Sequence, residues 1–186
     1  TITSRVALRA GSIVLPLHNP LRVAEDWSAI DQLSGGRVGL SFASGWHVND
    51  FAFMPQAYER RREIMLESIE TVMKLWRGER VEVENGQGKS ISVSVLPRPI
   101  QAAPPMWLAS AGSVDTFKLA GRLGANVLTN MLGQDIEDLR NKFAAYRAAR
   151  QEAGFEGPGN ISVMLHTFVC EDTERARELA RKPFGD

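Results

Sequence analysis

Residues 106–130 read MWLASAGSVDTFKLAGRLGANVLTN, two short apolar runs separated by a helix-forming stretch. Met106 to Ser110 and Ala125 to Asn130 have the length and aliphatic content of strands, and residues 113–123 carry a helical pattern between them. Strand, helix and strand in so short a span form a βαβ unit, and its strands run parallel because the crossover returns the chain to the same end. The fold class is therefore α/β with a parallel sheet. The turn into the helix is made of Ala109, Ser110, Ala111 and Gly112, directly before Ser113 and Thr116. Small side chains let a ligand approach the backbone, and a helix start offers unpaired N–H groups and partial positive charge. An anion suits such a turn; the plainer reading is a strand-to-helix turn with Ser113 as N-cap.

The same rhythm extends in both directions. RVALRAGSIVL, residues 5–15, reads as a largely buried strand stopped by Pro16. Asn19 and Pro20 open a helix with Val23, Trp27 and Ile30 in phase, ended by Gly35 and Gly36. RVGLSFAS, residues 37–44, is the next strand, and a helix from about Tyr58 to Arg77 presents Met65, Ile69, Val72, Met73 and Trp76 to the core. Residues 78–105 break the pattern: VEVENGQGKSISVSV alternates at period two around Asn85 and Gly86, a β-hairpin insertion with a proline-rich return. Beyond the central unit, residues 135–153 form a helix with Ile136, Leu139, Phe143 and Tyr146 in phase. ISVMLHTFVC, residues 161–170, reads as a strand, and Glu171 to Lys182 as a helix opened by Asp172 or Thr173. Five strand–helix units fit either an open doubly wound sheet or part of an eight-unit barrel.

The chain has 186 residues, 44% hydrophobic and 24% charged, which suits one domain with a proper core. Lys plus Arg and Asp plus Glu number 22 each, so no overall field favours nucleic acid or an anionic membrane, and a charged ligand needs a local site. The one cysteine, Cys170, has no internal partner and reads as a buried thiol. That, with no bilayer-spanning apolar run and no signal-peptide pattern, points to the cytoplasm. A start at Thr1 and an end at PFGD suggest a fragment of a larger polypeptide.

In either parallel architecture ligands bind at the carboxyl ends of the strands. There lie His18 and Asn19, then Ser44, Gly45, Trp46 and His47, then Ser110 to Ser113, then Thr129 and Asn130, with His166 inside the last strand. The three histidines are on different strands without metal-ligand spacing, so no metal site is expected. His166 reads as a hydrogen-bonded core residue or a proton-transfer group. Trp46 covers a flat ligand or simply packs. Asp50 orients His47 or caps a turn. Arg60, Arg61 and Arg62 form a solvated helix face from which one guanidinium can reach a phosphate. Nucleophile-elbow, Walker A and dinucleotide fingerprints are absent from the sequence.

IVLPLHNPLRVAEDWSAIDQLSGGRVGL, ASGWHVNDF and LPRPIQAAPPMWLASAGSVDTFKLAGRLGANVLTN together resemble the luciferase-like flavin monooxygenases. The GWHVNDF and GANVLTN blocks, with MLHTFVCED and KPF near the end, resemble the branch associated with nonribosomal peptide and polyketide biosynthesis. The resemblance implies a TIM barrel, of which this chain holds the third to seventh βα units as one domain, residues 1–186. It implies reduced FMN and dioxygen as cosubstrates, a separate flavin reductase, a homodimer or assembly-line context, and a small or carrier-bound substrate. Gly112, Ser113 and Thr116, with Ser110 beside them, match the family's flavin-phosphate positions; Ser44, Gly45 and Trp46 match the strand end along the flavin. Relatives often carry a basic residue where Ser44 stands. His47 and His166 are the candidates for proton handling. The alternatives are a deazaflavin-dependent oxidoreductase of the same superfamily, a noncatalytic flavin-binding or structural barrel, and a sugar-phosphate enzyme using the same helix terminus.

Overall fold

The computed structural model describes residues 2–184, with Thr1, Gly185 and Asp186 outside them. The first helix shows why local sequence suffices at some boundaries. Asn19 Oδ1 accepts from Leu21 N at 2.9 Å, Pro20 fills the first helical position, and Gly35 closes α1 (Pro20–Ser34) in the left-handed conformation. The other helices are α2 (Arg61–Trp76), α3 (Val114–Arg122), α4 (Ile136–Glu152) and α5 (Thr173–Phe184). Asp135 caps α4 through Asp138 N at 2.7 Å, and Asp172 Oδ1 accepts from Arg175 N at 2.7 Å at the start of α5. No helix among the described residues is long and apolar enough to cross a membrane.

The strands are β1 (Leu8–Arg9), β2 (Ile13–Val14), β3 (Val38–Ala43), β4 (Val81–Glu84), β5 (Ser90–Val93), β6 (Met106–Ala109), β7 (Asn126–Asn130) and β8 (Ile161–Met164). β1 and β2 both pair with β3, and β3–β6–β7–β8 follow in order, every pair parallel. Val38, Leu40, Phe42, Leu108 and Val127 form one core cluster with residues of α1, α2, α3 and α4. All four helices thus cover a single face of the sheet, the arrangement of a barrel wall rather than of a doubly wound sheet. β4 and β5 pair antiparallel within the insertion. Asn85 Oδ1 accepts from Gln87 N and Lys89 N, and the left-handed glycine of that turn is Gly88 rather than Gly86.

Two strand expectations need correction. Residues 5–15 are not one buried strand. Leu8 pairs with Val38 and Ile13 with Phe42, so the outer strand carries one residue more than its neighbour, a bulge at residues 10–12. Leu8 and Ile13 would otherwise point to opposite faces; the extra residue turns both onto the same core. At the other edge, the ladder ends where Asn130 meets Met164. Residues 165–170 have no β7 partner left, so His166 lies outside the strand and is exposed, and Cys170 is half-buried rather than core. Ile136, expected in phase with the core, stands at the first turn of α4 and is 70% exposed.

The insertion is tied back by a buried carboxylate. Asp31 of α1 is fully buried. Its Oδ2 accepts from Ile100 N at 2.6 Å and Gln101 N at 2.9 Å, and its Oδ1 from Gln101 Nε2 at 2.8 Å. Gln101 Nε2 also donates to Val38 O at 3.0 Å, and Trp76 Nε1 to Gln101 O at 2.8 Å. Removing the carboxylate strands buried donors, each worth about 1–3 kcal/mol. Asp31→Ala is expected to lower the unfolding free energy by roughly 3 kcal/mol, read from urea melts.

On the other side of the molecule, Tyr146 of α4 is buried and donates its hydroxyl to Ala125 O at 2.9 Å. Burial raises its phenol pKa above the ordinary 10.0, against a smaller lowering by Arg150. The folded state therefore keeps this proton at a pH where the unfolded chain loses it. The stability it contributes is whole below about pH 10 and falls as pH rises toward the folded value. Tyr146→Phe is expected to cost about 1 kcal/mol at neutral pH and to flatten the alkaline fall of the melting temperature relative to the parent.

Candidate functional site

The carboxyl ends of β2, β3, β6, β7 and β8 surround a cleft of about 410 Å³. Ser44, Gly45 and Trp46 come to it from the end of β3, and Ser110, Gly112, Ser113 and Thr116 from the turn into α3. All seven positions singled out for a flavin thus share one cavity, although some sixty residues of helix and hairpin separate the two groups. The sequence reading missed Ser12, Val14, Leu128 and Met164 on the same walls. A period-two signal marks part of this set: Leu128 and Asn130 alternate with Val127 and Thr129, which are buried.

At the head of α3, Ser113 occupies the N-cap position with extended backbone, but its hydroxyl makes no capping bond. The turn is closed by the main chain, Ser113 O accepting from Thr116 N at 3.0 Å and from Phe117 N at 3.4 Å. The expected side-chain cap is therefore replaced by a hydroxyl on the cleft wall. Ser110 N is taken by Leu128 O at 2.9 Å, whereas the N–H groups of Ala111, Gly112 and Ser113 have no acceptor among the described residues. Ser113 and Thr116 hydroxyls and these N–H groups make a donor-rich set suited to an oxyanion. Asp115 is exposed and not part of the cleft wall.

The charged side chains on that wall are Arg61 and Arg62, from the first turn of α2, and no carboxylate among the described residues joins them. Arg61 is fixed by its bond to Tyr58 O at 2.7 Å and lies over the Tyr58 ring at 4.3 Å. Arg60 points elsewhere, to Glu63 at 2.8 Å and Glu67 at 3.8 Å. Its hydrogen bond and charge hold the Glu63 carboxyl below the usual range. A chain of zero formal net charge thus carries a locally positive cavity.

The histidines lie elsewhere. His47 is absent from the cleft wall; its Nδ1 stands 3.7 Å from Asp50 Oδ1, and its ring meets Trp46 edge-on at 5.2 Å. Trp46 itself is 82% exposed at the rim. His166 lines a second cavity, which shares Asn130 and Met164 with the first. His18 closes the turn before α1, its N–H donating to Leu15 O at 3.0 Å.

A profile of the luciferase-like monooxygenases matches residues 2–185. The oxygenase component of the flavin-dependent trigonelline monooxygenase of Acinetobacter baylyi is 26% identical over 189 residues, covering 97% of this chain and 50% of that protein. The F420-dependent hydroxymycolic acid dehydrogenase of Mycobacterium tuberculosis is 28% identical over 178 residues, covering 94% of this chain and 48% of that one. The crystal structure of monooxygenase RslO1 from Streptomyces bottropensis is similar with a TM-score of 0.84 at 27% identity, covering 97% of this chain and 55% of that one. The chain spans about half the length of the curated relatives it matches. Its five strand positions correspond to a partial, open (β/α) barrel.

The two cleft glycines differ physically. Gly45 has φ +79°, and a Cβ there would lie 2.8 Å from Phe51 Cε2 and 2.9 Å from Val14 Cγ1. A Cβ on Gly112 would meet nothing within 4 Å, so glycine there keeps space open rather than relieving strain. Gly45→Ala is expected to destabilise by about 2–4 kcal/mol in chemical denaturation. Gly112→Ala is expected to stay within about 0.5 kcal/mol of the parent.

Proposed function

We propose, from the premise that this chain belongs to the luciferase-like monooxygenase family, that its cleft holds the phosphate end of FMN in a flavin-dependent monooxygenase. The observation that supports this most is the convergence of Ser44, Gly45, Trp46, Ser110, Gly112, Ser113 and Thr116 on one cavity whose charged side chains are both arginines. Ser113 and Thr116 donate their hydroxyls to the phosphate and the N–H groups of residues 111–113 add to them; Gly112 leaves the backbone open to close approach. Arg62, for which no ion pair is found among the described residues, supplies the positive charge that relatives draw from the position of Ser44.

Reduced FMN, when bound, supplies the two electrons with which dioxygen is divided between substrate and water. The protein's own part is orientation and exclusion of water. Trp46, which His47 meets edge-on, would cover the flat ring of the bound flavin. The groups proposed to handle protons are His166, on the second cavity that shares Asn130 and Met164 with the cleft, and His47, beside Asp50 and outside the cleft wall. The five units stand for the third to seventh of an eight-unit barrel, the reductase is a separate protein, and the working form is a homodimer or part of an assembly line. The GWHVNDF and GANVLTN blocks support a small or carrier-bound substrate in natural-product biosynthesis.

A second reading has its own support in the mycobacterial F420-dependent relative: a deazaflavin enzyme that transfers hydride without oxygen. Oxygen uptake with a supplied reductase separates the two. FMN titrated into the chain in phosphate-free buffer is expected to bind saturably by fluorescence. Ser113→Ala/Thr116→Ala is expected to weaken binding at least tenfold with unchanged circular dichroism, since each charge-assisted bond is worth about 1.5–3 kcal/mol. Failure of a well-folded chain to bind FMN counts against the assignment.

A further inference from the structure

We propose that the second cavity, between the loops that follow β7 and β8, is a subsite for the apolar arm of the substrate, a hydrocarbon-like group of about seven or eight heavy atoms. This rests on the flavin reading for its role in turnover, and on geometry for its existence. The cavity measures about 220 Å³ and is lined by Asn130, Met131, Leu132, Met164, Leu165 and His166. Four of the six are apolar, and His166 is the sole titratable group among the described residues on the wall. At roughly 30 Å³ per water-sized group, the space holds about seven such groups.

One wall is built rather than draped. Asn130 Oδ1 accepts from Leu132 N at 2.9 Å, and Gln134 Nε2 donates to Asn130 O at 2.8 Å and to Thr129 Oγ1 at 3.3 Å. Lys142 Nζ of α4 in turn holds Gln134 Oε1 at 2.8 Å. This hydrogen-bonded loop keeps Leu132 65% exposed, and Leu165 across the cavity is equally exposed. Apolar side chains held at a cavity mouth give a surface that an apolar group can cover.

Position names the occupant. The cavity shares Asn130 and Met164 with the donor-rich cleft and lies at the same carboxyl end of the sheet, where parallel barrels place their chemistry. The cleft takes the anion; the annexe offers no guanidinium or ammonium from the described residues and takes an uncharged, apolar group. Met131 and Met164 are flexible enough to fit arms of somewhat different shape, and the amide N–H of Asn130 can meet a carbonyl or hydroxyl at the arm's end.

The test needs no turnover. Methyl-labelled protein is titrated with n-alcohols of four to twelve carbons, and the Met131, Met164, Leu132 and Leu165 methyl signals are followed by NMR. Saturable shifts confined to these methyls are expected, tightening about fourfold per added carbon (~0.8 kcal/mol each) and levelling near eight carbons. Leu132→Asp is expected to weaken n-octanol at least tenfold while FMN affinity, measured separately, stays unchanged. Three results would overturn the subsite: equal shifts at the remote, exposed Leu33 and Leu96, affinity that keeps rising to twelve carbons, or an octanol affinity that Leu132→Asp leaves unmoved. Octanol binding without FMN binding would keep the cavity as an apolar subsite and overturn the flavin reading instead.

Discussion

The Asp31 carboxylate is the constraint on which the site depends. Two successive main-chain N–H groups of the insertion's return, Ile100 and Gln101, end on one of its oxygens. Gln101 bridges from there to Val38 O at the start of β3. A few residues later Leu40 N donates to Pro105 O at 2.9 Å, and β6 enters beside β3 with Leu40 facing Met106. The register so set carries through to the far end of both strands, where Ser44 and Ser110 arrive at the same cleft. A slip of one residue would send Leu108 out of the core and its neighbours into it. A buried carboxylate at the amino end of the sheet thereby decides which residues meet at the carboxyl end.

The cleft's positive character is likewise a matter of arrangement. Three consecutive arginines stand at the start of α2, and their helical spacing sends them in different directions. Arg60 is neutralised by Glu63 and Glu67 on the same helix, Arg61 is braced on Tyr58, and Arg62 remains beside the cavity. Helix starts from α2 and α3 meet at this rim, and both carry partial positive charge. With no carboxylate from the described residues on the wall, the charges lining the cavity favour an anion, in a protein whose charges otherwise cancel.

Where a structural cause was local, it could be read in the sequence. Asn19–Pro20, Gly35–Gly36 and Asp172 mark helix ends through bonds made within a few residues, and Asp135, read as the first helical residue, proves to be the cap of α4. The parallel βαβ order followed from strand and helix periods, and the convergence of Ser44–Trp46 with Ser110–Thr116 followed from that order. Where the cause was a neighbour, reading failed. The bulge at residues 10–12 has one local sign in RVALRAGSIVL, the glycine at 11, which the strand reading passes over, and the count against β3 is what fixes it. LHTFVC has strand composition, but a ladder can run no further than its partner, and β7 stops at Asn130. The Ser113 hydroxyl carries the signature of a cap, yet the main chain closes the turn and frees it for the cleft.

That last exchange bears on how one small motif serves structure and chemistry together. A serine whose hydroxyl caps its helix accepts an N–H through one lone pair and keeps its O–H to donate, so capping and anion binding are compatible in one side chain; here the two duties are separated. Here Ser113 keeps the extended N-cap backbone, so the first N–H groups of α3 point outward, but its carbonyl closes the turn. The hydroxyl is left as a donor beside Thr116, one helical turn on. Gly112 precedes it with nothing where a Cβ would stand. Helix geometry alone would supply the N–H donors at any such terminus. What distinguishes this one is that its side-chain oxygens are released from structural duty, which the packing of Phe117 and Ala120 into the core makes possible by anchoring α3 without them.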